Sequence, residues 1–577
     1  MYQPDLSPLA DSLALSALVA SLPLLTLFAL LGGLRLKAHW AGLAALAVAI
    51  AVALACYGMP AKLALLSASE GASFGLFPIM WIVVTAIWLY QLTVVTGRFE
   101  DLRRAFGLIS DDPRIQAVII AFCFGALLEA LAGFGAPVAI TGVMLMALGF
   151  APVRAAVTVL VANTAPVAFG AIAIPIITAG NLTKIPYTDI GAYVGRQTPL
   201  IALFVPLLLV VLVDGRRGIR QTWPVALVCG AVFALAQFVS SNFISVELTD
   251  IIASLAALVA VVLFLRVWQP SGGEQARADL QREREAEGGS GPGAGSPGGP
   301  SSGEPGERGG AATGTRRTSG GTATAERPDN GPRLVMAFLP YLIVIAVFSL
   351  AKLWTPVKDF LAGTDLKIGW PGLDGHVLTA AGKPSTAAVY TFPWLSSPGT
   401  LLLLSGVLVA AVYRISPLAA VREFGATVGR LRWALLTVAS VLALAYVMNL
   451  SGQTITIGTW IAGAGAAFAF LSPILGWLGT AVTGSDTSAN ALFATLQQAA
   501  GHKAGLDPTL LVAANTSGGV VGKMISPQNL TIAATAVGLV GRESVLFRHA
   551  IKWSLLLLLA LCVLVLLQST LLARMLP

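Results

Sequence analysis

A short pattern occurs twice in this chain, each time inside sequence that is apolar enough to lie in a membrane. The first copy is Val161-Ala162-Asn163-Thr164 and the second is Ala513-Ala514-Asn515-Thr516. In both copies a glycine follows the Asn by seven residues and a proline follows it by twelve. Because Gly and Pro interrupt helices, the pattern predicts an internal repeat of two broken helices. In membrane proteins, paired interruptions of this kind point to the binding site of a transporter.

The composition supports a membrane protein. Of 577 residues, 56% are hydrophobic and 11% are charged, and the mean hydropathy is +0.81. The net charge of +8 does not indicate nucleic-acid binding, because basic residues such as Arg216, Arg217 and Arg220 fall in short loops and are typical of topology signals. The four cysteines lie in apolar runs without metal-ligand spacing, so we expect no disulfide framework, metal site or cofactor.

Apolar runs of about 20 residues can each cross a bilayer as a helix, and the chain carries roughly 12–14 such membrane segments. The first, Ser12 to Gly33, is not preceded by a basic region and is expected to be retained rather than cleaved. The basic residues that follow it, Arg35 and Lys37, predict a cytoplasmic loop and an outside N-terminus. The mixed segment Lys62 to Gly75 is interpreted as interfacial.

The chain divides into three parts by composition. Residues 1–270 form a first membrane half and residues 334–577 a second. Between them, residues 271–333 are rich in Gly, Ser, Pro, Arg and Glu and have almost no large apolar residues. Such a segment cannot bury enough surface to fold, so a disordered linker is predicted, opening with a short charged helix around Gln275 to Glu287. A polar segment, Trp354 to Leu395, is expected to form a small cap on one face.

Glycine and proline interrupt the apolar sequence every few residues from Ile115 to Gly180, and again from Gly452 to Gly541. Irregular backbone at membrane depth is tolerated only where it is buried in protein or lines a wet cavity. We therefore predict an all-α polytopic membrane protein with two related repeats. Each repeat would contain a re-entrant hairpin followed by a discontinuous helix.

Glu129 stands in a long apolar run just before the glycine-rich break Gly133-Phe134-Gly135. A carboxylate at bilayer depth is costly unless it is paired, protonated or facing water, so it is a candidate for carrying a coupling proton. The alternative is that Glu129 lies at an interface or pairs structurally with a Lys or Arg.

In the second half, Ser485-Asp486-Thr487 resembles a hairpin tip that leads into a helix. These residue types could simply cap the helix. Alternatively, the free N–H groups and hydroxyls at the tip could receive a carboxylate ligand, because a helix N-terminus presents donors and positive potential together. Asp486 is a second candidate for the coupling proton.

The Asn-Thr pairs could replace backbone hydrogen bonds lost at the helix breaks, and could also contact a small hydroxy-carboxylate. Lys523 follows Gly522 in the second copy, where the first copy has Ala171. A buried cation there would suit a monovalent anion, although Lys523 could instead neutralise Asp486 or Glu129.

At three stretches the sequence resembles the bacterial L-lactate permease family, whose members transport lactate and glycolate and are generally regarded as proton symporters. The stretches are Glu129–Pro137, Thr483–Asn490 and Gly519–Asn529. The resemblance covers nearly all the apolar sequence and implies two repeats of inverted orientation. The long linker departs from the family pattern.

The sequence therefore predicts a secondary transporter of the cell membrane, not an enzyme, that imports 2-hydroxymonocarboxylates together with a proton. L-lactate is the first candidate substrate, and D-lactate and glycolate are further candidates. Sodium coupling is the main alternative, since broken-helix carbonyls also bind Na⁺. An ATP-driven pump lacks a phosphate-binding loop, and a membrane-embedded enzyme lacks clustered acids or a His-based site. The proton is assigned to Glu129 and Asp486. The substrate-binding candidates are Gly133, Phe134, Gly135, Asn163, Thr164, Ser485, Thr487, Asn515, Thr516 and Lys523.

Overall fold

The computed structural model describes residues 1–34, 36–101, 109–133, 135–288, 331–380 and 382–577. Most of the linker, residues 289–330, lies outside this range, and so does Phe134. The described part of the chain is predominantly helical, with one small two-stranded sheet.

The first half and the start of the linker contain fourteen α-helices among the described residues. They are α1 (Leu13–Ala20), α2 (Leu22–Phe28), α3 (Ala38–Ala55), α4 (Ala61–Phe74), α5 (Trp81–Val95), α6 (Pro113–Ala117), α7 (Gly125–Ala132), α8 (Ala136–Ala147), α9 (Pro152–Ala162), α10 (Gly170–Thr183), α11 (Tyr187–Val194), α12 (Thr198–Val239), α13 (Thr249–Val267) and α14 (Gly273–Gly288). Wider π-helical turns extend several of them, at Ala29–Gly33, Gly75–Met80, Val118–Phe124 and Ser240–Ile244.

The second half contains ten α-helices and both strands. The helices are α15 (Gly331–Leu353), α16 (Thr355–Gly363), α17 (Pro398–Val412), α18 (Pro417–Leu450), α19 (Gln453–Ile461), α20 (Phe468–Thr483), α21 (Asp486–Ala504), α22 (Pro508–Gly522), α23 (Pro527–Ala536) and α24 (Glu543–Gln568). Strands β1 (Leu366–Gly369) and β2 (Val389–Phe392) pair antiparallel, with Leu366 opposite Phe392.

Ten stretches of the described chain are long and apolar enough to cross a membrane, or eleven if α9 and α10, bent by 63°, form one span. Two further apolar helices, α8 and α17, are shorter. The expectation of an all-α multi-pass membrane protein is confirmed, with ten or eleven such stretches among the described residues against the roughly 12–14 membrane segments expected.

Helix α12 illustrates how polar residues divide the spans. A straight helix of its 42 residues would be about 63 Å long, twice the thickness of a bilayer core. The backbone leaves helical geometry at Asp214 and Gly215, where Gly215 has a φ of +59°. This break produces the two separate spans that the sequence predicts on either side of the arginine-rich loop.

Helix α4 is not the interfacial segment that the sequence suggested. Its Ser67 and Glu70 are fully buried, and Gly71 lies so close to α18 that a Cβ there would come 2.5 Å from the Leu442 carbonyl oxygen. The mixed composition of α4 therefore belongs to a helix packed inside the protein, and the correction adds a buried carboxylate that the sequence did not single out.

The cap predicted at Trp354 to Leu395 contains α16 and the β1–β2 hairpin. The N-terminus docks on it, because the Tyr2 N–H donates to the His376 carbonyl and the Leu378 N–H donates to the Tyr2 carbonyl, both at 2.8 Å. The cap and the N-terminus therefore share one face, which the loop charges predict to be outside.

The charged helix predicted at the start of the linker is present as α14 and is held by ion pairs. Arg217 contacts Asp279 of this helix at 2.7 Å, and Arg154 contacts Glu283 at 2.8 Å. Nearby, the fully buried Arg114 donates to Asp112 and Asp214. Basic residues of α9 and α12 thus hold this part of the linker.

Candidate functional site

Two hairpin tips, one from each half, meet at a single small cavity. In the first half α7 turns into α8 at Gly133 to Gly135, and in the second α20 turns into α21 at Gly484 and Ser485. Gly135 and Gly484 have φ angles of +86° and +79°, a backbone region that other residues rarely adopt. The cavity has a volume of about 30 Å³. Its polar lining comes from Glu129, Ser485, Asp486, Thr487 and Lys523.

An ion pair joins the two halves at this cavity. Lys523 Nζ donates to Glu129 Oε1 at 2.5 Å, and the two side chains are only 9% and 3% exposed. Of the alternatives that the sequence left open for these residues, the pairing of Lys523 with Glu129 is the one that the structure contains. Glu129 Oε2 has no hydrogen-bond partner among the described residues. The carboxylate therefore keeps one oxygen that can accept a proton or a further donor.

Glu129 also fits closely against the break between α9 and α10. A Cβ on Gly170 would lie 2.8 Å from Glu129 Oε1, so only glycine leaves room for the carboxylate there. The next three residues, Ala171 to Ala173, all have positive φ angles, between 45° and 58°. Left-handed geometry at such residues costs about 1–2 kcal/mol each, which is typical of strain stored at a functional site.

Asp486 is the second buried carboxylate at the cavity. Its Oδ1 lies 3.5 Å from the Thr480 hydroxyl, and its Oδ2 has no hydrogen-bond partner in the described part of the chain. Gly519 of α22 leaves space for it, since a Cβ at Gly519 would come 2.0 Å from Asp486 Oδ1. The tip thus holds a tightly enclosed carboxylate beside a helix N-terminus.

The hairpin tip of the second half does cap its helix. The Ser485 hydroxyl accepts a hydrogen bond from the Ser488 N–H at 3.3 Å, as expected of an N-cap residue. Ser485 and Thr487 nevertheless line the cavity as well, so the positive end of α21 points at it. The capping and ligand-binding interpretations are therefore compatible.

The first Asn-Thr pair lies at a break, as predicted. Asn163 and Thr164 directly follow α9, and the Thr164 hydroxyl donates to the Val161 carbonyl at 2.6 Å. Asn163 Oδ1 is buried without a partner among the described residues. Both residues share a narrow crevice with Lys523 and Asn529, beside the cavity rather than in it.

The second Asn-Thr pair does not lie at a break, which corrects the expectation that it replaces lost backbone bonds. Asn515 and Thr516 are in the middle of α22, which continues to Gly522. Both side chains donate to Asn490 Oδ1 at 3.0 Å, and the Gln497 amide donates to Asn515 at 3.4 Å. They form a buried polar network that is not part of the cavity wall, and in it Asn490 Nδ2 has no partner among the described residues. Their contact with substrate stays a prediction.

A third carboxylate, Asp250 at the start of α13, was missed by the sequence analysis. It is 1% exposed and interacts electrostatically with both Glu129 and Lys523. Its Oδ1 accepts from the Gln237 amide at 3.4 Å. An acidic residue in the first turn of an apolar helix resembles an ordinary helix-stabilising charge, so nothing in the sequence indicated that Asp250 is deeply buried.

Six of the predicted residues therefore come together at the cavity: Glu129, Gly133, Ser485, Asp486, Thr487 and Lys523. Gly135 lies instead against Ile532 of α23, where a Cβ would come 2.3 Å from the Ile532 Cδ1 atom. Phe134 lies outside the described residues. The groups present are one ammonium, several buried carboxylates, hydroxyls and a helix N-terminus, which together suit a small anion and a proton.

Comparison with known proteins finds relatives that are named for small carboxylate anions. The L-lactate permease of Bacillus subtilis (strain 168) is 41% identical, over 99% of this chain and 99% of that protein. Glycolate permease GlcA of Escherichia coli (strain K12) is also 41% identical, over 99% and 97%. The L-lactate permease of Escherichia coli (strain K12) is 40% identical over both whole chains.

Among solved structures, the Alcanivorax borkumensis YdaH transporter shares 14% identity with a TM-score of 0.41, covering 87% of this chain and 86% of that one. A family model described as L-lactate permease matches residues 16–572. The relatives are named as permeases rather than enzymes, and the chain belongs to the L-lactate permease family.

Proposed function

We propose that this protein imports the lactate or glycolate anion together with a proton across the membrane. The substrate class is supported by the relatives, which are named as lactate and glycolate permeases. The coupling is supported by one observation above all, the buried Lys523–Glu129 pair at the meeting point of the two hairpin tips.

This pair provides a direct means of coupling. The substrate carboxylate needs the Lys523 ammonium, which Glu129 occupies at 2.5 Å. When Glu129 takes up a proton it becomes neutral, and Lys523 is left as a buried cation without a counterion. Because an unpaired buried charge is strongly unfavourable, the anion then binds in place of Glu129. Proton uptake and anion binding thus require one another, and the net charge of the site stays the same.

The remaining groups at the cavity would orient the substrate. The α21 N-terminus and the hydroxyls of Ser485 and Thr487 offer donors for the second carboxylate oxygen and for the 2-hydroxyl group. Asn163, next to Lys523 in the adjoining crevice, offers an amide with a buried oxygen that lacks a partner within the described residues. A monocarboxylate with one hydroxyl uses all of these contacts.

The cavity is too small to hold the substrate as it stands. Its volume of about 30 Å³ suits one or two waters, whereas small-molecule sites occupy roughly 300–1,000 Å³. Binding therefore requires the two tips to separate. A hairpin that ends in glycine can move as a unit, and such motion of one element against another is how transporters alternate access.

Asp486 and Asp250 would extend the proton site. Together with Glu129 they make three carboxylates around the single ammonium of Lys523, a net charge of −2 if all were ionised. Burying that charge is costly, so protons are expected to accompany it. We assign the coupling proton to Glu129, because it alone contacts Lys523 directly.

The test is uptake of radiolabelled lactate by sodium-free proteoliposomes under an imposed pH gradient. We expect accumulation in the direction of the gradient, inhibition by unlabelled glycolate and little inhibition by a dicarboxylate. If uptake requires sodium and ignores the pH gradient, the proton assignment is wrong. If neither lactate nor glycolate enters under any gradient, the substrate assignment is wrong.

A further inference from the structure

Two larger cavities lie beneath the cap, and Lys184 lines both of them. The first has a volume of about 560 Å³ and the second about 330 Å³, a size that accepts small organic ligands. The first lies between cap residues 377–379 and 385–387 and the end of α21 at Lys503. The second lies between α10 and the part of the cap that includes Lys358 of α16.

The lysines of these cavities are mostly unpaired. Lys184, at the C-terminal end of α10, is exposed and makes no hydrogen bond or direct ion pair within the described residues. Lys358 and Lys503 likewise have no ion-pair partner in that part of the chain. Lys352, by contrast, is neutralised by Glu247 at 3.0 Å. Three cations are therefore available to an incoming anion.

The opposing acidic groups are few. Asp365 lines the second cavity, where it accepts a hydrogen bond from the Ser396 hydroxyl. Glu70 interacts electrostatically with Lys184 but is fully buried in α4 and lines neither cavity. The walls of the two cavities thus carry a positive balance, and concave walls of one sign raise the local concentration of the opposite ion.

Helix α10 connects the second cavity to the inner site. Ile174 lines the small cavity beside Glu129, while Ile177, Asn181 and Lys184 line or border the cavity beneath the cap. The first three positions are spaced by three or four residues, so they lie on one face of the helix, and Lys184 is the C-cap residue directly after Thr183. Nine residues separate Ile174 from Thr183, about 14 Å of helix, or nearly half of a bilayer core.

We propose that the second cavity beneath the cap, with Lys184 as its principal cation, is an outer binding site for small carboxylate anions on their way to Lys523. This inference rests on the proposed function. The outer site collects the anion from solution, and the face of α10 between Lys184 and Ile174 leads it inward. Ile177 and the closed hairpin tips separate the two sites.

The first experiment measures lactate uptake by cells that produce Lys184→Gln. We expect the KM to rise about tenfold and to lose most of its dependence on ionic strength, while the maximal rate and the final accumulation ratio stay unchanged. Lys383→Gln is the matched control, because Lys383 is an exposed lysine of the same cap that lines neither cavity. An unchanged KM in Lys184→Gln would overturn the proposal.

A second experiment separates the outer site from the inner one. Asn181→Cys places a thiol in the second cavity, and Lys523→Met disables the inner site. In this double variant we expect lactate to slow labelling of the introduced thiol by a membrane-impermeant maleimide, and further replacement of Lys184 by Gln should abolish the protection. Protection that is absent, or that persists without Lys184, contradicts the outer site. Wild-type transport of lactate tests the proposed function independently.

Discussion

Replacement of Glu129 by Gln isolates the proposed coupling step. Glutamine keeps the size of the side chain and can still accept a hydrogen bond from Lys523, but it cannot exchange a proton. The variant therefore resembles the protonated state permanently. Breaking a buried ion pair costs about 3–5 kcal/mol at most, and in this variant the substrate anion itself restores the missing charge.

The expected magnitude follows from the stoichiometry of the site. One Glu129 contacts one Lys523, so the proposed mechanism would move one proton with each anion. Each pH unit then supplies about 1.4 kcal/mol, which supports a roughly tenfold accumulation of lactate. If Asp486 also carried a transported proton, the limit would be roughly a hundredfold. In Glu129→Gln the pH gradient supplies nothing, and the ratio should stay near one.

The assay compares two measurements on the same proteoliposomes, with the membrane potential clamped at zero. Accumulation under a gradient of one pH unit should be lost, whereas exchange of internal for external lactate should continue. Glu247→Gln is a suitable control, because Glu247 is also a buried carboxylate paired with a lysine, Lys352, at 3.0 Å, outside the inner cavity. Normal accumulation by Glu129→Gln would refute the coupling mechanism.

Three further predictions concern the site and its surroundings. Lys523→Ala removes a charge-assisted contact of about 1.5–3 kcal/mol. The lactate concentration that gives half the maximal rate should therefore rise about 10- to 100-fold, in both exchange and accumulation assays. An unchanged concentration would exclude Lys523 from the site. Gly519→Ala places a Cβ 2.0 Å from Asp486 Oδ1, so thermal unfolding should show that the free energy of unfolding falls by about 1–3 kcal/mol. Gly429→Ala, where nothing lies within 4 Å, should show no such loss. Burial alone would raise the pKa of Glu247, but Lys352 and the Ser245 hydroxyl hold this pKa below its ordinary value of 4.5. The ionised Glu247 therefore stabilises the fold above pH 4.5, and this stabilisation is lost at more acidic pH. The drop in Tm on acidification should be smaller in Glu247→Gln than in the wild type. Equal drops in the two proteins would show that the Glu247–Lys352 pair contributes nothing to stability.

The sequence located the cavity well because its chemistry is local. Glu129 and Asp486 each stand alone in apolar sequence next to glycines, and charged residues in that setting are rarely without function. The pairing of Glu129 with Lys523 was only one of several possibilities, since 394 residues separate the two partners. Sequence alone does not reveal which distant helices are adjacent.

Other features depended on helix depth and register, which a single sequence does not fix. Asn515 repeats the pattern of Asn163, yet α22 remains continuous past it, and the Asn515 side chain donates to Asn490 of the neighbouring helix. Asp250 and Glu70 resemble helix-end and interfacial charges until the packing of neighbouring helices shows that they are buried.

The buried Lys523–Glu129 pair also has an electrical consequence. In the proposed mechanism the empty site holds one positive and one negative charge, and the loaded site would hold the lysine cation, the substrate anion and a neutral Glu129. Neither state carries net charge through this pair, so the membrane potential, which does about 2.3 kcal/mol of work per charge per 100 mV, does no work on its movement. A cell using this protein would draw on its pH gradient alone, and uptake would continue when the potential collapses.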